Sequence, residues 1–457
     1  MRVAILLAAG LVVGGRAASA AANDAELLTA ARGAMARAVR YFTTEVATRG
    51  GYLWSYSEDL TQREGEGEAT ASQIWVQPPG TPAVGFACLR AYEATQDPLY
   101  LEAARAAAGA LAWGQLACGG WDYKIDFDPV ASAQWYYRRD REAGVDPEDR
   151  RNRGTFDDDT TQSAVRFLMA AAKATGDARL ESVARYGLQF VLDSQFANGA
   201  WPQWYPLATA GYTRWYTFND GAINDCIQVL LDAYHIYGDA LYLQRAERGG
   251  DFIIRSQLPA PQATWAQQYG YDRKPAWARW FEPPAACSAE SVGNLNTLLD
   301  LYLETGEEKY LRPLPAAIEW FKRSRLADGR WARFYELGTN RPIYVNTSKQ
   351  VAYDLVDARP GYSWQGEYGV ETAIKRYERI ALVGREAYLA DRRRPLGADE
   401  AAARRTSLAA RAQAAIEAQD ERGRWVTDGR ISCREFIRNL DALSAYVGSG
   451  APQAAGS

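Results

Sequence analysis

The chain has 457 residues, of which 47% are apolar and 24% charged, and its formal net charge is −4. This composition supports a large core, and outside the N-terminus no apolar run approaches the length that spans a bilayer. The acidic balance argues against a general nucleic-acid binder, which needs a basic surface. A single histidine, His235, argues against Ser-His-Asp hydrolysis and histidine-rich zinc sites.

The first residues are typical of a secretory leader. A basic start precedes an apolar run from Val3 to Gly15, and a small-residue cleavage sequence ends at Ala20. We therefore expect residues 1–20 to be a cleaved signal peptide and the protein to be periplasmic or secreted by a bacterium. Residues 21–450 are expected to form one domain. The five cysteines contain no CxxC pair and are interpreted as small buried side chains, with one disulfide left open.

Helical periodicity predicts two alternating sets of helices along the chain. The first set comprises residues 24–47, 98–117, 177–196, 239–257, 307–325 and 398–419. The second set comprises residues 82–95, 161–174, 222–236, 290–305, 369–393 and 430–447. Tight Gly-Asp-like turns separate most second-set helices from the first-set helices that follow them.

A repeated sequence ends five helices of the first set: Gln (once Arg), then Gly at the fourth following position and Trp at the sixth. The copies span 115–121, 195–201, 325–331, 419–425 and, more loosely, 257–265. We expect the Gly to end the helix in a left-handed conformation and the Trp to pack on the neighbouring hairpin. Such regularity is typical of stacked helical hairpins. The predicted fold is an all-α, α/α toroid with six inner and six outer helices.

Long segments join each outer helix to the next inner helix, and the alternation places them all on one rim. They comprise residues 55–80, 122–159, 202–221, 266–289 and 332–367. A binding cleft is expected there, because loops on a rigid scaffold commonly carry function. Aromatic side chains in these loops, among them Trp277 and Tyr344, could stack on sugar rings or only fill the space between loops.

Two inner helices begin with near-copies of one acidic motif. Thr-Phe-Asp-Asp-Asp occupies residues 155–159, and Thr-Phe-Asn-Asp occupies residues 217–220. Helix capping explains a single carboxylate at such a position, but three consecutive Asp exceed what a cap needs. We predict that Asp157, Asp158 and Asp220 converge either on a hard cation such as Ca²⁺ or as an acid/base pair.

Cations are concentrated in loops on the same rim. Lys274 and Arg279 lie in the aromatic segment 271–284, and Arg341 and Arg359 lie in the following loop. Arginine is suited to bidentate recognition of carboxylates. Carboxylates, arginines and aromatic surfaces together favour an acidic polysaccharide held partly through a metal ion.

These motifs resemble the pectate lyases of polysaccharide lyase family 10, in the order and at the spacing of that family. The similar stretches are Thr-Phe-Asp-Asp at 155–158, Gln-Phe-Ala-Asn-Gly-Ala-Trp-Pro-Gln at 195–203, Thr-Phe-Asn-Asp at 217–220, Pro-Ala-Trp-Ala-Arg at 275–279, Arg-Phe-Tyr-Glu-Leu-Gly-Thr-Asn-Arg-Pro at 333–342 and Gly-Tyr-Ser-Trp at 361–364. The resemblance covers roughly residues 150–370. Residues 24–150 resemble an N-terminal extension.

The resemblance implies β-elimination on polygalacturonate, with Arg279 removing the C5 proton. It also implies that Asp157 and Asp220 hold Ca²⁺ against a substrate carboxylate, which stabilises an enolate-like transition state. Arg341 and Arg359 would bind uronate carboxylates. The complete set of predicted site residues is Arg279 as catalytic residue, Lys274, Trp277, Arg341, Tyr344 and Arg359 for the substrate, and Asp157, Asp158 and Asp220 for the metal. The expected partner is an acidic polysaccharide, with no nucleic acid or membrane, and the protein is expected to be a monomer.

Three other functions are compatible with parts of the sequence. A glycoside hydrolase on the same toroid would use Asp157 or Asp158 with Asp220 as general acid and base, without a metal. A triterpene cyclase shares Trp-containing repeats and Asp-rich motifs, but the leader and polar loops argue against it. A non-catalytic carbohydrate-binding protein would keep the aromatic loops but would not need Arg279.

Overall fold

The computed structural model describes the backbone of residues 7–449 and the side chains of residues 24–449. The side chains of the predicted signal peptide, residues 1–20, lie outside the described part. Over residues 7–449 the α-helices are α1 (Leu7–Tyr41), α2 (Thr81–Thr95), α3 (Pro98–Trp113), α4 (Pro129–Ser132), α5 (Arg138–Glu142), α6 (Thr160–Thr175), α7 (Ala178–Asp193), α8 (Ala222–Tyr237), α9 (Ala240–Arg255), α10 (Ser288–Thr305), α11 (Leu314–Arg323), α12 (Val370–Val383), α13 (Arg385–Arg393), α14 (Ala398–Glu417) and α15 (Cys433–Gly448).

Twelve of these helices form two layers. The inner helices pack side by side in the order α15, α2, α6, α8, α10 and α12. The outer helices are α1, α3, α7, α9, α11 and α14, and the last of them lies against the first. This arrangement confirms the predicted α/α toroid with six inner and six outer helices. None of the described helices is both long enough and apolar enough to cross a membrane.

Several predicted helix boundaries were wrong. The predicted helix 369–393 is divided at Gly384, whose φ of 79° and ψ of 164° leave the helical region, and gives α12 and α13. The predicted helix 307–325 is reduced to a 3₁₀ turn and α11, since Pro313 lacks the amide that a continuous helix needs. The outer helices that carry the repeat also end before its first residue, the glutamine or arginine. The Gly of the repeat therefore lies in the following turn rather than at the helix end.

The glutamine of the repeat joins each outer helix to the next one. Gln195 donates one amide hydrogen to the carbonyl of Gly199 in its own turn, at 3.1 Å, and the other to Arg245 in α9, at 2.9 Å. The same pair of bonds is made by three further glutamines, to carbonyls in or next to the following outer helix: Gln115 to Val183, Gln257 to Pro313 and Gln419 to Ala34. The last of these links α14 to α1 and connects the two ends of the described chain.

The glycine and tryptophan of the repeat allow this close approach. Gly199 has a φ of 96°, and a Cβ built on it would lie 2.0 Å from the carbonyl oxygen of Arg248 in α9. Only glycine fits such a position. Trp201 is fully buried, and its indole N–H donates to the Val191 carbonyl near the end of α7, at 2.8 Å. The tryptophans of the other copies donate in the same way to the preceding helix.

Short strands, which the helical periodicity did not predict, join the rim loops to one another. They are β1 (Ser55–Ser57), β2 (Arg63–Glu64), β3 (Gln73–Trp75), β4 (Lys124–Asp126), β5 (Gly154–Thr155), β6 (Trp204–Tyr205), β7 (Tyr216–Thr217), β8 (Gln268–Tyr269), β9 (Ala286–Cys287), β10 (Trp331–Ala332), β11 (Phe334–Tyr335), β12 (Pro342–Val345), β13 (Val351–Ala352), β14 (Gln365–Gly366) and β15 (Arg430–Ser432). The pairs β15–β1, β3–β4, β5–β6, β7–β8 and β9–β11 each connect one loop with the next, all antiparallel.

One junction of the ring differs from the others. At the copy of the repeat with arginine, Arg325 bonds to Gly329 in its own turn, at 2.9 Å, and reaches Glu371 of α12 rather than the outer helix α14. A Cβ on Gly329 would meet only the Arg325 side chain, at 3.5 Å. On the rim, β14 pairs with β10 of its own loop instead of a strand in the next loop. We call this junction, between α11–α12 and α14–α15, the seam.

The cysteines behave as expected for small buried side chains. All five are free thiols, four of them buried and Cys118 half-buried. His235 lies in the last turn of α8, where Nε2 is 2.9 Å from a Glu304 carboxylate oxygen. Neither group belongs to the rim site described below.

Replacing Gln195 with alanine should destabilise the protein, because two carbonyls and the joint between α7 and α9 lose their donor. We expect the free energy of unfolding to fall by about 1–3 kcal/mol, measured by denaturant titration. The matched control is Gln189→Ala on the exposed face of α7, whose amide bonds only to Asp193. Equal effects of the two substitutions would contradict the structural role of the repeat.

Candidate active site

The acidic residues lie on two matching turns at the starts of α6 and α8. Asp157–Asp159 and Asn219–Gly221 each form a 3₁₀ turn, and the middle residues, Asp158 and Asp220, both have a φ of 47°. In both copies a threonine hydroxyl two residues before the turn accepts the first turn amide, at 3.1 Å. The left-handed backbone of these aspartates is sparsely populated, and such strain is typical of functional positions.

The turns bring the three predicted metal ligands together. One carboxylate oxygen from each of Asp157, Asp158 and Asp220 lies within 4.8 Å of the others. Asn219 donates its Nδ2 to Asp157, at 3.4 Å, and to Asp220. Its buried Oδ1 has no hydrogen-bond partner among the described residues. We call Asp157, Asp158 and Asp220 the acidic cluster.

Two residues missed by the sequence analysis hold this cluster in place. The Tyr123 hydroxyl donates to Asp157 Oδ2, at 2.6 Å, and Gln77 Nε2 donates to Asp158 Oδ2, at 2.7 Å. Gln77 is itself positioned by the Trp75 indole N–H, at 3.0 Å. None of these residues lies in a recognisable motif, so only their loop positions connected them with the rim.

Burial and mutual repulsion make the acidic cluster prone to protonation. Burial raises the pKa of Asp158 to about 6, helped by the charges of Asp157 and Glu66. Burial, followed by repulsion from Asp158 and Asp157, raises the pKa of Asp220 to about 7. A divalent cation would offset this repulsion. The oxygen-only donor set, with the unpartnered Asn219 oxygen beside it, fits a hard cation such as Ca²⁺.

Arg279 adjoins the cluster and is held by Glu282. Its Nη2 lies 3.7 Å from Asp220 Oδ2, while Nε and Nη2 donate to the two Glu282 oxygens at 2.8 and 2.6 Å. Burial favours neutral Arg279, but the hydrogen bonds and charge of Glu282 prevail and raise its pKa. Glu282 also accepts from the Tyr362 hydroxyl, at 3.0 Å. The free protein therefore presents a fixed guanidinium cation next to the acidic cluster.

Three of the predicted substrate-binding residues, Lys274, Trp277 and Arg359, lie in or near the loop that carries Arg279. Arg359 lies close to the Arg279 region, with its guanidinium 4.1 Å from the centroid of the Phe281 ring, in the same aromatic group as Tyr362. Lys274 and Trp277 are exposed on the loop before Arg279.

The remaining two predicted residues have other environments. Arg341 is exposed and stacks on Tyr353, at 3.9 Å from the ring centroid. Tyr344 is only 3% exposed and belongs to a small core with Trp364. Its hydroxyl accepts from Gln365, at 2.7 Å. The structure therefore places Tyr344 among packing residues rather than on the open surface.

The fold and the site together define an α/α-toroid protein with a candidate cation site beside a fixed arginine. The family model for pectic acid lyase matches residues 115–330 and 327–373 of the sequence, more than half of the chain. The chain belongs to the pectic acid lyase family. No curated protein matches it in sequence.

Solved structures agree with this fold. A family 10 polysaccharide lyase from Cellvibrio cellulosa is similar at 23% identity, with a TM-score of 0.51, and the match covers 66% of this chain and 97% of that chain. An Asp-to-Ala mutant of a family 10 polysaccharide lyase from the same organism, in complex with trigalacturonic acid, matches at 23% identity with a TM-score of 0.50, over 65% of this chain and 98% of that chain.

Substituting Asp220 should reveal the repulsion in the acidic cluster. Because the pKa of Asp220 is raised on folding, its favourable contribution to stability is present below about pH 4. This contribution is lost as the pH rises through about 7. In chelator at pH 8, Asp220→Asn should therefore raise Tm by a few degrees, and at pH 4 the change should be much smaller, as measured by calorimetry.

Asp193→Asn, an exposed aspartate at the end of α7, is the control for the loss of one negative charge. It should leave Tm unchanged at both pH values. An Asp220→Asn protein that is less stable than the wild type at pH 8 in chelator would refute the described electrostatics.

Proposed function

We propose that the protein is a secreted pectate lyase that cleaves polygalacturonate by Ca²⁺-assisted β-elimination, with Arg279 as the base. The observation that carries this proposal is the 3.7 Å separation of Arg279 and Asp220 in the site of a pectic acid lyase family member. The complex of the similar Cellvibrio mutant with trigalacturonic acid supports the choice of substrate.

The acidic cluster would hold the ion through Asp157, Asp158 and Asp220, and Gln77 and Tyr123 would orient two of these ligands. Bound there, Ca²⁺ would withdraw charge from a uronate carboxylate and so acidify the adjacent C5–H. Arg359, on the aromatic side of the Arg279 loop, is suited to hold a second carboxylate.

In the chemical step, a neutral Arg279 nitrogen takes the C5 proton. The C5–H electron pair forms the C4–C5 double bond, and the C4–O bond breaks with its electron pair on the oxygen of the leaving chain, which takes a proton from water. Glu282 fixes the plane of the guanidine through Nε and Nη2. It also opposes the neutral form, because it raises the pKa of Arg279. Turnover is therefore expected to increase toward alkaline pH.

The direct test follows the ultraviolet absorbance of unsaturated product during incubation with polygalacturonate. We expect a rise with added Ca²⁺ and none after chelation, since the carboxylates alone repel the substrate. Turnover that persists fully in chelator would refute the metal role of the acidic cluster. New reducing ends without absorbance would refute elimination.

Arg279→Ala should abolish turnover while retaining substrate affinity. Glu282→Gln should shift the alkaline rise of kcat to lower pH, because it removes the partner that raises the pKa of Arg279. Both variants are compared over a pH series at saturating substrate, with Glu367→Gln, an exposed rim glutamate, as control. An active Arg279→Ala protein, or a Glu282→Gln profile that does not move, would contradict Arg279 as the base.

A glycoside hydrolase is the second candidate, and one observation favours it. Asp158 and Asp220 have pKa values of about 6 and 7, which suit proton donation near neutrality. This function predicts reducing ends, no unsaturated product and no dependence on Ca²⁺. The same incubation therefore separates the two candidates.

A further inference from the structure

A cavity lies on the rim next to the acidic cluster. Its volume is 590 Å³, within the range of about 300–1,000 Å³ that is typical of small-molecule sites. Its main lining residues are Trp75, Lys124, Trp135, Arg151, Arg153 and Trp204. Tyr123, which also lines it, donates to Asp157 and so forms the boundary between the cavity and the cluster.

The cations of this cavity have no acidic partners. Among the described residues, Lys124, Arg151 and Arg153 form no ion pair within 4.0 Å. Arg153 Nε donates to the Pro206 carbonyl, at 2.9 Å, whereas its Nη2 is buried without a hydrogen-bond partner. An anionic ligand in the cavity would give these cations the charged partner that they lack.

The one carboxylate in the lining is already satisfied. Asp122 accepts from the Trp135 indole N–H, at 2.7 Å, and from the Tyr123 amide, at 2.8 Å. Flat surfaces flank the cations: Lys124 Nζ lies 5.7 Å from the centroid of the Trp75 ring, and the Arg153 guanidinium lies 5.8 Å from that of Trp204. Unpaired cations between indole rings are the chemistry that recognises a sugar carrying a carboxylate.

We infer that this cavity is an additional subsite for one hexuronate unit of an acidic polysaccharide, an inference that rests on the proposed function. The sugar face would pack on Trp204, which is half-buried, and its carboxylate would accept from Arg153 and Lys124. Trp75 precedes residue 115, where the family match begins. The subsite is thus partly built by the rim loop of residues 55–80, which precedes the matched residues, and it extends the chain of bound sugars beyond the acidic cluster.

The test compares the wild type with the double variant Lys124→Met/Arg153→Met, which removes both charges and keeps unbranched side chains. Binding of oligogalacturonates of increasing length is measured by calorimetry, and of their neutral methyl esters in parallel. We expect the long acidic oligomers to bind about tenfold or more weakly to the variant. KM for polygalacturonate should rise with little change in kcat. Binding of the shortest oligomers that occupy the acidic cluster should change little.

The control is Lys173→Met, an exposed lysine on the opposite rim. Thermal unfolding of all variants shows whether the fold is retained, and Arg153→Lys should recover part of the affinity. Unchanged affinity for long acidic oligomers, or equal loss for the neutral esters, would overturn the subsite. Charge-dependent binding in a protein without lyase activity would refute the proposed function and leave the subsite standing.

Discussion

Four glutamine side chains determine how neighbouring hairpins of this toroid are spaced. Each carboxamide donates one hydrogen to its own turn and the other to the next outer helix, so that the turn and the joint are fixed together. These donors are buried or nearly so, and leaving their acceptors without partners would be costly. Four of the rim loops follow such a turn, including the loops that lead into the acidic motifs at Asp157 and Asp220. The positions of the site residues therefore depend on bonds made far from the acidic cluster.

The site itself works against the stability that this scaffold provides. Three carboxylates share a small, partly buried space, and two of them have left-handed backbone conformations. On the other side of the site, Glu282 is almost fully buried and neutralises Arg279. Arg279 thus pairs mainly with Glu282, at 2.6 Å, and lies farther from Asp220, at 3.7 Å. The acidic cluster therefore keeps an excess of negative charge that a cation can offset.

The periodicity and the repeats of the sequence predicted the twelve main helices. The two acidic motifs predicted the convergence of Asp157, Asp158 and Asp220, and the family resemblance added Arg279. The sequence did not predict the rim strands, since pairs of two residues carry no periodic signal. Gln77 and Tyr123 were missed because their roles arise from contacts with distant segments. Tyr344 was predicted as a substrate-binding residue, with space filling between loops left open, and the fold of its own loop buries it against Trp364.

The ring is held together less tightly at the seam than at its other five junctions. Five of the junctions combine helix packing with a strand pair on the rim, and at the seam both the glutamine joint and the strand pair between successive loops are replaced by contacts within one hairpin. The toroid is therefore a ring with one weaker junction rather than an evenly closed ring. Small opening movements would concentrate there and change the width of the rim at the loop that carries Arg341 and Arg359. The helices that bear the acidic cluster lie away from this gap, so the carboxylates would keep their spacing while the far end of the groove adjusts to a long chain.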